Sequence, residues 1–271
     1  MIHINGVGVF LVTLWFVLGV VEPLKAESLS GTTICGCDDD AEWPPYAYFK
    51  RENGSETKEV IGLSVDVVNE IFGSQEVTFK PKLIPWMRCL NEVETGHCDM
   101  VMNAAYSKER SGKFYISHSF YATTPYYFFS KKNNPDGLNI QNKLDLSKFR
   151  IAGKLGYSYA DYGLTYDEIV AKSGIYADNY SKLIQLLHAG RVDIIIERLE
   201  VMAGFDVTGA SLLQDEMLGY APIPQVEPSK FYMMFPKSKK GAELKDLADS
   251  GIERLIKSGR LLELKKKYSL H

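Results

Sequence analysis

Arg110 stands just past an apolar run in MVMNAAYSKER. A guanidinium in that place can clamp a carboxylate through two parallel hydrogen bonds, a geometry lysine cannot supply. An isolated surface arginine is ordinarily just solvated, so its surroundings decide its role. Upstream, in PWMRC, Trp86 opens a helical pattern and offers either a ring at a cleft or a staple onto the core. In DDDAEWPPYAYF, Trp43 and Tyr46 flank Pro44 and Pro45, whose fixed backbone angles stiffen the turn that carries both rings. Burial in a capped loop is the plain alternative, weighing more for Tyr46 than for Trp43.

Groups that would transform a ligand are not evident. The chain has no Walker loop, no dinucleotide-binding glycine fingerprint, no HExxH and no GxSxG. Its five histidines, His3, His97, His118, His188 and His271, sit in unlike contexts with no serine or cysteine partner at a suggestive spacing. Glu197 and Glu200 would share a face on a helix, but the pattern has them end a strand and begin a helix. No enzyme, cofactor or metal site is expected: Cys35, Cys37, Cys89 and Cys98 lack the paired-hairpin spacing of a zinc site, and His97 is the one histidine near them.

Composition narrows the partners. A net charge of -3 in 271 residues, with acids and bases interleaved, gives no basic stripe for phosphates, so nucleic acid is not an expected partner. The apolar run GVGVFLVTLWFVLGVV is shorter than the roughly 18 to 20 residues of a membrane span. Followed by EPLKA, it predicts a signal peptide over residues 1–26, cut near Ala26, and a periplasmic protein. In an oxidising compartment the four cysteines allow three pairings. A bond inside Cys35-Gly36-Cys37 is strained on a strand, which favours a bridge from the first strand to Cys89 or Cys98.

The elements that must position these residues alternate. TTICGC, VTFKPKLIPW and DMVMNA read as strands, and GLSVDVVNEIFG and WMRCLNEVETG as helices. That order implies parallel strands under covering helices, an α/β fold. In the first helix Val65, Val68, Ile71 and Phe72 share one face while Asp66, Asn69 and Glu70 face away. A second unit follows: FRIAGKLG as strand, YADYGLTYDEIVAKSG and SKLIQLLHAG as helices, RVDIIIE as strand. LNEVETGHCDMVM and LIQLLHAGRVDIIIE echo each other, with Gly96 and Gly190 ending helices in the left-handed conformation. YYFFSKK and FYMMFPK are the connecting strands, and the last stretch is two helices broken at Gly259.

From Thr32 to about Tyr268 the chain resembles the periplasmic solute-binding proteins of family 3, the amino-acid type that serves ABC importers. The resemblance lies in the Trp43–Tyr46 turn, GLSVDVVNEI, GHCDMVMNAAYSKER, GKLGYSYADYG, AGRVDIII and LIKSGRLLELKKKY. It implies a two-lobed type 2 periplasmic binding fold with a two-stranded hinge and a central ligand cleft. Lobe 1 would comprise residues 27–123 and 231–271, and lobe 2 residues 124–230. It implies ligand contacts from Trp43, Tyr46, Trp86, Asn103, Ala104, Arg110, Tyr157 and Ser158, with Ala105 and Gly156 beside them. A monomer that closes on a small-molecule ligand and docks on a membrane permease is the expected behaviour.

Two positions depart from the family's pattern. Asn103, Ala104 and Ala105 replace small hydroxyl residues after the third strand. Where amino-acid binders carry an aspartate for the ligand's ammonium, this chain has Arg198, with Glu197 beside it and one residue of slippage between the two readings. Arg198 there would face the ammonium with a cation and turn preference toward anionic or polar solutes. A cyclohexadienyl dehydratase-like enzyme using Glu197 or Glu200 as a proton-transfer group, and an orphan sensory domain, are the alternatives.

Overall fold

The computed structural model describes residues 29–154, 156–164, 176–177 and 179–270. The segment read as a signal peptide lies outside them, as does most of the helix expected over 159–174. The described start of that helix is a single 3-10 turn, Ala160–Tyr162, ended by Gly163 in the left-handed conformation.

The chain first builds β1 (Thr33–Asp39), the hairpin of β2 (Tyr48–Glu52) and β3 (Ser55–Ile61), α1 (Leu63–Gly73), β4 (Thr78–Ile84), α2 (Trp86–Glu94), β5 (Met100–Ala105), α3 (Lys108–Lys113), β6 (Phe114–Ile116) and β7 (Tyr121–Thr123). It then crosses at Thr124 into β8 (Pro125–Ser130), β9 (Ile151–Lys154), β10 (Tyr176–Ala177), α4 (Tyr180–His188), β11 (Ile194–Arg198), α5 (Leu199–Gly204) and β12 (Leu218–Pro222). It returns through β13 (Ser229–Pro236), α6 (Lys239–Lys257) and α7 (Arg260–Lys267).

Two sheets result. One runs β4-β1-β5-β13-β6 with β7 also on β13, and the other runs β10-β9-β11-β8-β12. Neither is purely parallel, unlike the expectation. β13 lies antiparallel to β5, β6 and β7, and β8 lies antiparallel to β11 and β12. The reason is topological: a strand that carries the chain out of a lobe or back into it runs against the βα repeat. The two crossings lie side by side, where β7 pairs with β13 through Ser229↔Thr123 and the Ile223 amide donates to the Pro125 carbonyl at 3.1 Å.

Burial explains the helices. Val65, Val68, Ile71 and Phe72 of α1 are buried as the spacing predicts, and Leu63 and Val67 join them. Each such side chain contributes about 1.5–3 kcal/mol on leaving water. α6 packs on α1 through Gly251, where an added Cβ would lie 2.5 Å from Ile71. The β2–β3 hairpin went unread in the sequence, although Asn53-Gly54 has the composition of a two-residue hairpin turn and both residues have positive φ.

Both predicted partners of the first strand are used: Cys35 is bonded to Cys98 and Cys37 to Cys89. Alternate residues of one strand thus tie it to α2 and to the start of β5. Removing Cys35 and Cys98 together should leave no free thiol by Ellman titration. Removing Cys35 and Cys89 should leave Cys37 and Cys98 without their native partners and lower the melting temperature further. Each lost bridge costs about 2–5 kcal/mol, and equal thiol counts in the two double variants would contradict this pairing.

Candidate functional site

The ends of β1 and β5 bring the first groups together. β1 ends in Asp38 and Asp39, both buried. Asp38 Oδ2 accepts from Asn103 Nδ2 at 2.6 Å and Oδ1 from the Asp39 amide at 2.8 Å. Asn103 Oδ1 in turn accepts from the Tyr121 hydroxyl at 2.9 Å and from Ser64 Oγ. Burial pushes the Asp38 acid up to about 7, helped by the Asp39 charge and opposed by the bond from Asn103 and by Lys154.

The Trp43–Tyr46 turn is held from α1, whose Leu63 and Ser64 amides donate to the Pro45 and Tyr46 carbonyls at 3.0 Å. Gly62, at φ 133, permits this approach, because a Cβ there would stand 2.2 Å from the Tyr46 oxygen. Trp86 opens α2 and its Nε1 donates to the Gly156 carbonyl at 3.0 Å. α3 is capped by Ser107 Oγ, which accepts from the Arg110 amide. Arg110 is buried beneath the Trp86 ring at 5.3 Å and donates through Nη1 to Ala105 O at 2.9 Å and through Nη2 to Gly156 O at 3.0 Å. Burial lowers its pKa to about 10, so it stays charged at neutral pH.

The facing sheet supplies the other half. Lys154, the last residue of β9, places Nζ 3.0 Å from Asp39 Oδ2, and both side chains are about 5% exposed. The same carboxylate oxygen accepts from the Tyr157 hydroxyl at 2.9 Å. Lys154 Nζ lies over the rings of Tyr157 and Tyr180 at 5.2 and 4.9 Å. Arg198, the last residue of β11, lies over Tyr162 and Phe231 at 5.3 and 5.4 Å. Glu197 Oε1 accepts from the Arg198 amide at 2.8 Å and Oε2 from the Tyr180 hydroxyl at 2.7 Å. Burial raises the Glu197 acid against the opposing Arg198 charge.

A cavity of about 30 Å³ lies between the two sheets. Asp38, Trp43, Trp86, Asn103, Ala105 and Arg110 line it from one side, and Tyr157, Ser158 and Arg198 from the other, with Phe231 at the hinge. Of the residues named from the sequence, Trp43, Trp86, Asn103, Arg110, Tyr157, Ser158 and Arg198 therefore meet in one place. Arg198, rather than Glu197, reaches the cavity.

Tyr46 and Ala104 do not line it. Tyr46 stacks on Tyr121 at 4.1 Å, and Tyr121 stacks on Phe231 at 5.0 Å, so Tyr46 backs the wall instead of forming it. Ala104 points to the opposite face of β5, into the cluster around Cys37, Cys89 and Cys98, and its neighbour Ala105 takes the cavity position. Asp38, Asp39, Lys154 and Phe231 went unread. The acids stood only as the residues before Trp43, and Lys154 and Phe231 as parts of the strands FRIAGKLG and FYMMFPK.

Two mixed sheets with paired crossings and a cavity between them define the type 2 fold of the periplasmic binding proteins. The chain belongs to the bacterial extracellular solute-binding proteins, family 3, whose profile matches residues 35–271. Among solved structures it is similar to an amino-acid ABC transporter substrate-binding protein of Streptococcus pneumoniae bound to L-arginine. That match has 20% identity, 88% of this chain and 94% of the other, and a TM-score of 0.68. It is also similar to an ancestral amino-acid-binding protein described as a precursor of cyclohexadienyl dehydratase, at 19% identity, 88% and 95% coverage and a TM-score of 0.65. A histidine kinase sensor domain matches at 16% identity, 89% and 97% coverage and a TM-score of 0.68. No curated sequence matches.

Asp38 gives the fold a measurable pH dependence. Its acid rises from 3.8 to about 7 on folding, so its contribution is complete below pH 3.8 and is lost as pH climbs toward 7. Glu197 acts in the same direction. The melting temperature of the wild type should fall from about pH 5 to about pH 8, and Asp38→Asn should flatten part of that fall. Identical slopes by circular dichroism would remove Asp38 from the account.

Proposed function

We propose that this protein is an exported, monomeric binding protein that captures a small carboxylate-bearing solute between its lobes, taken as 27–123 with 231–271 and 124–230, and presents it to the permease of an ABC importer. The observation that carries the reading is that Arg110 and Arg198 face one cavity from opposite sides, which are joined at the hinge and bridged by bonds from Trp86 and Arg110 to Gly156. A cavity shared by two hinged bodies converts ligand binding into a change of shape that a membrane partner can read. The family supports the same reading. The elimination alternative finds less support, since neither Glu197 nor Glu200 lines the cavity and both oxygens of Glu197 are already engaged.

Calorimetry with carboxylates, after native mass spectrometry of the purified protein for any retained solute, tests this. Arg110→Ala should weaken binding by about 3 kcal/mol, roughly 100-fold. Arg110→Lys should recover only part of that, because charge returns without the planar fork. Unchanged affinity in a folded Arg110→Ala protein would rule out the clamp.

A further inference from the structure

We propose that Lys154 is a built-in ligand: its ammonium, carried by the second lobe, seats on Asp39 of the first lobe and holds the cleft shut with no solute inside. Such a device would serve the capture of any solute, and it goes beyond the carboxylate clamp argued above.

Volume is the first reason. In this arrangement the cavity has about 30 Å³, room for about two waters at roughly 10–15 Å³ each. An organic solute needs more, so the two halves are closed here by protein on protein. They touch in more than one place. Trp86 and Arg110 both donate to the Gly156 carbonyl. Elsewhere a Cβ on Gly204, at the end of α5, would stand 2.5 Å from the Pro44 carbonyl oxygen, so the two backbones meet there.

The chemistry of the pair is the second reason. Lys154 Nζ stands 3.0 Å from Asp39 Oδ2 and lies over the rings of Tyr157 and Tyr180 at 5.2 and 4.9 Å. A carboxylate with two ring faces is what a site for an ammonium ligand offers, and here the cation is tethered to the chain. Both rings belong to the same lobe as the lysine, and Tyr180 is fixed by its bond to Glu197. The carboxylate comes from the other lobe, so the cage is complete only when the cleft is shut. The ammonium makes no hydrogen bond among the described residues. Charge and ring faces hold it, so it parts from Asp39 without breaking a hydrogen bond of its own, and the Tyr157 hydroxyl, which donates to the same oxygen, parts with it.

Removing the cation reverses the balance. Asp39 keeps the Tyr157 and Ala41 donors but becomes a buried carboxylate without its paired cation. That state is unfavourable, and opening relieves it by admitting water.

Small-angle X-ray scattering tests this on the purified protein, unfolded in guanidinium and refolded with its disulfides intact to strip any retained solute. The wild type should show the radius of gyration of the closed arrangement, and Lys154→Ala a larger one. Propylammonium, which supplies the atoms the substitution removes, should return Lys154→Ala to the wild-type value and leave the wild type unchanged. Propan-1-ol, equal in heavy atoms but uncharged, should do nothing. Asp39→Asn should open the cleft as well, with no response to propylammonium, and it carries the test if Lys154→Ala fails to fold. A wild type that scatters as an open molecule, or either variant as compact as the wild type, would overturn the inference. So would rescue that is absent or is matched by propan-1-ol, since the lysine would then be filling space. The carboxylate clamp stands or falls separately, by calorimetry on Arg110→Ala.

Discussion

The arrangement of the two lobes turns on one buried ion pair, Lys154 with Asp39. Each group comes from the end of a strand in a different sheet, and each is withdrawn from water at a cost of several kcal/mol that mutual attraction offsets only when the geometry is good. Here hydrogen bonds complete the carboxylate side, whereas the buried Lys154 ammonium makes no hydrogen bond among the described residues. Asp39 also accepts from Tyr157 and from the Ala41 amide, and the ammonium lies between two tyrosine rings. Such a pair adds little net stability compared with apolar packing, but it penalises every other relative placement of the sheets. It works as a register mark between lobes, and the ring contacts of Tyr157 with Trp43 and Trp86 follow from where it sets the Gly156–Ser158 loop.

The first lobe's half of the cavity is framed covalently. Both disulfides start on β1, so the strand that delivers Asp38 and Asp39 is tied to the helix that delivers Trp86 and to the start of the strand that delivers Asn103. Asn103 then locks the polar floor by bonding Asp38, Tyr121 and Ser64. The facing half depends on packing and on charges held over rings. One half is therefore fastened by covalent bonds, and the other is held by non-covalent contacts alone.

Much of this was legible in the sequence because periodicity reports which face of a regular element is buried. α1 and β5 were readable that way, while Arg110 was read from its place past the third strand and Arg198 from the family resemblance. Side chains on turns have no period, and there the reading failed: Tyr46 entered the stack behind the wall while Trp43, three residues earlier, entered the cavity. Alternation along β5 separates Ala104 from Ala105, a distinction the sequence contained. Lys154 was illegible for another reason. A lysine after a short apolar strand is ordinarily solvated, and only the facing sheet, far away in sequence, supplies the carboxylate that makes its burial tolerable.

The Gly156 carbonyl takes two donors from the opposite lobe, and a Cβ on this residue would meet Met87 and Trp86. The acceptor belongs to the main chain and is the same whatever side chains surround it. Its two donors, Trp86 and Arg110, are also cavity residues, so the groups that would meet a ligand are the same groups that hold the two halves together. Exchanging either of them changes the wall of the cavity and the contact across it in one step, which ties any new preference for a ligand to a new fit between the halves.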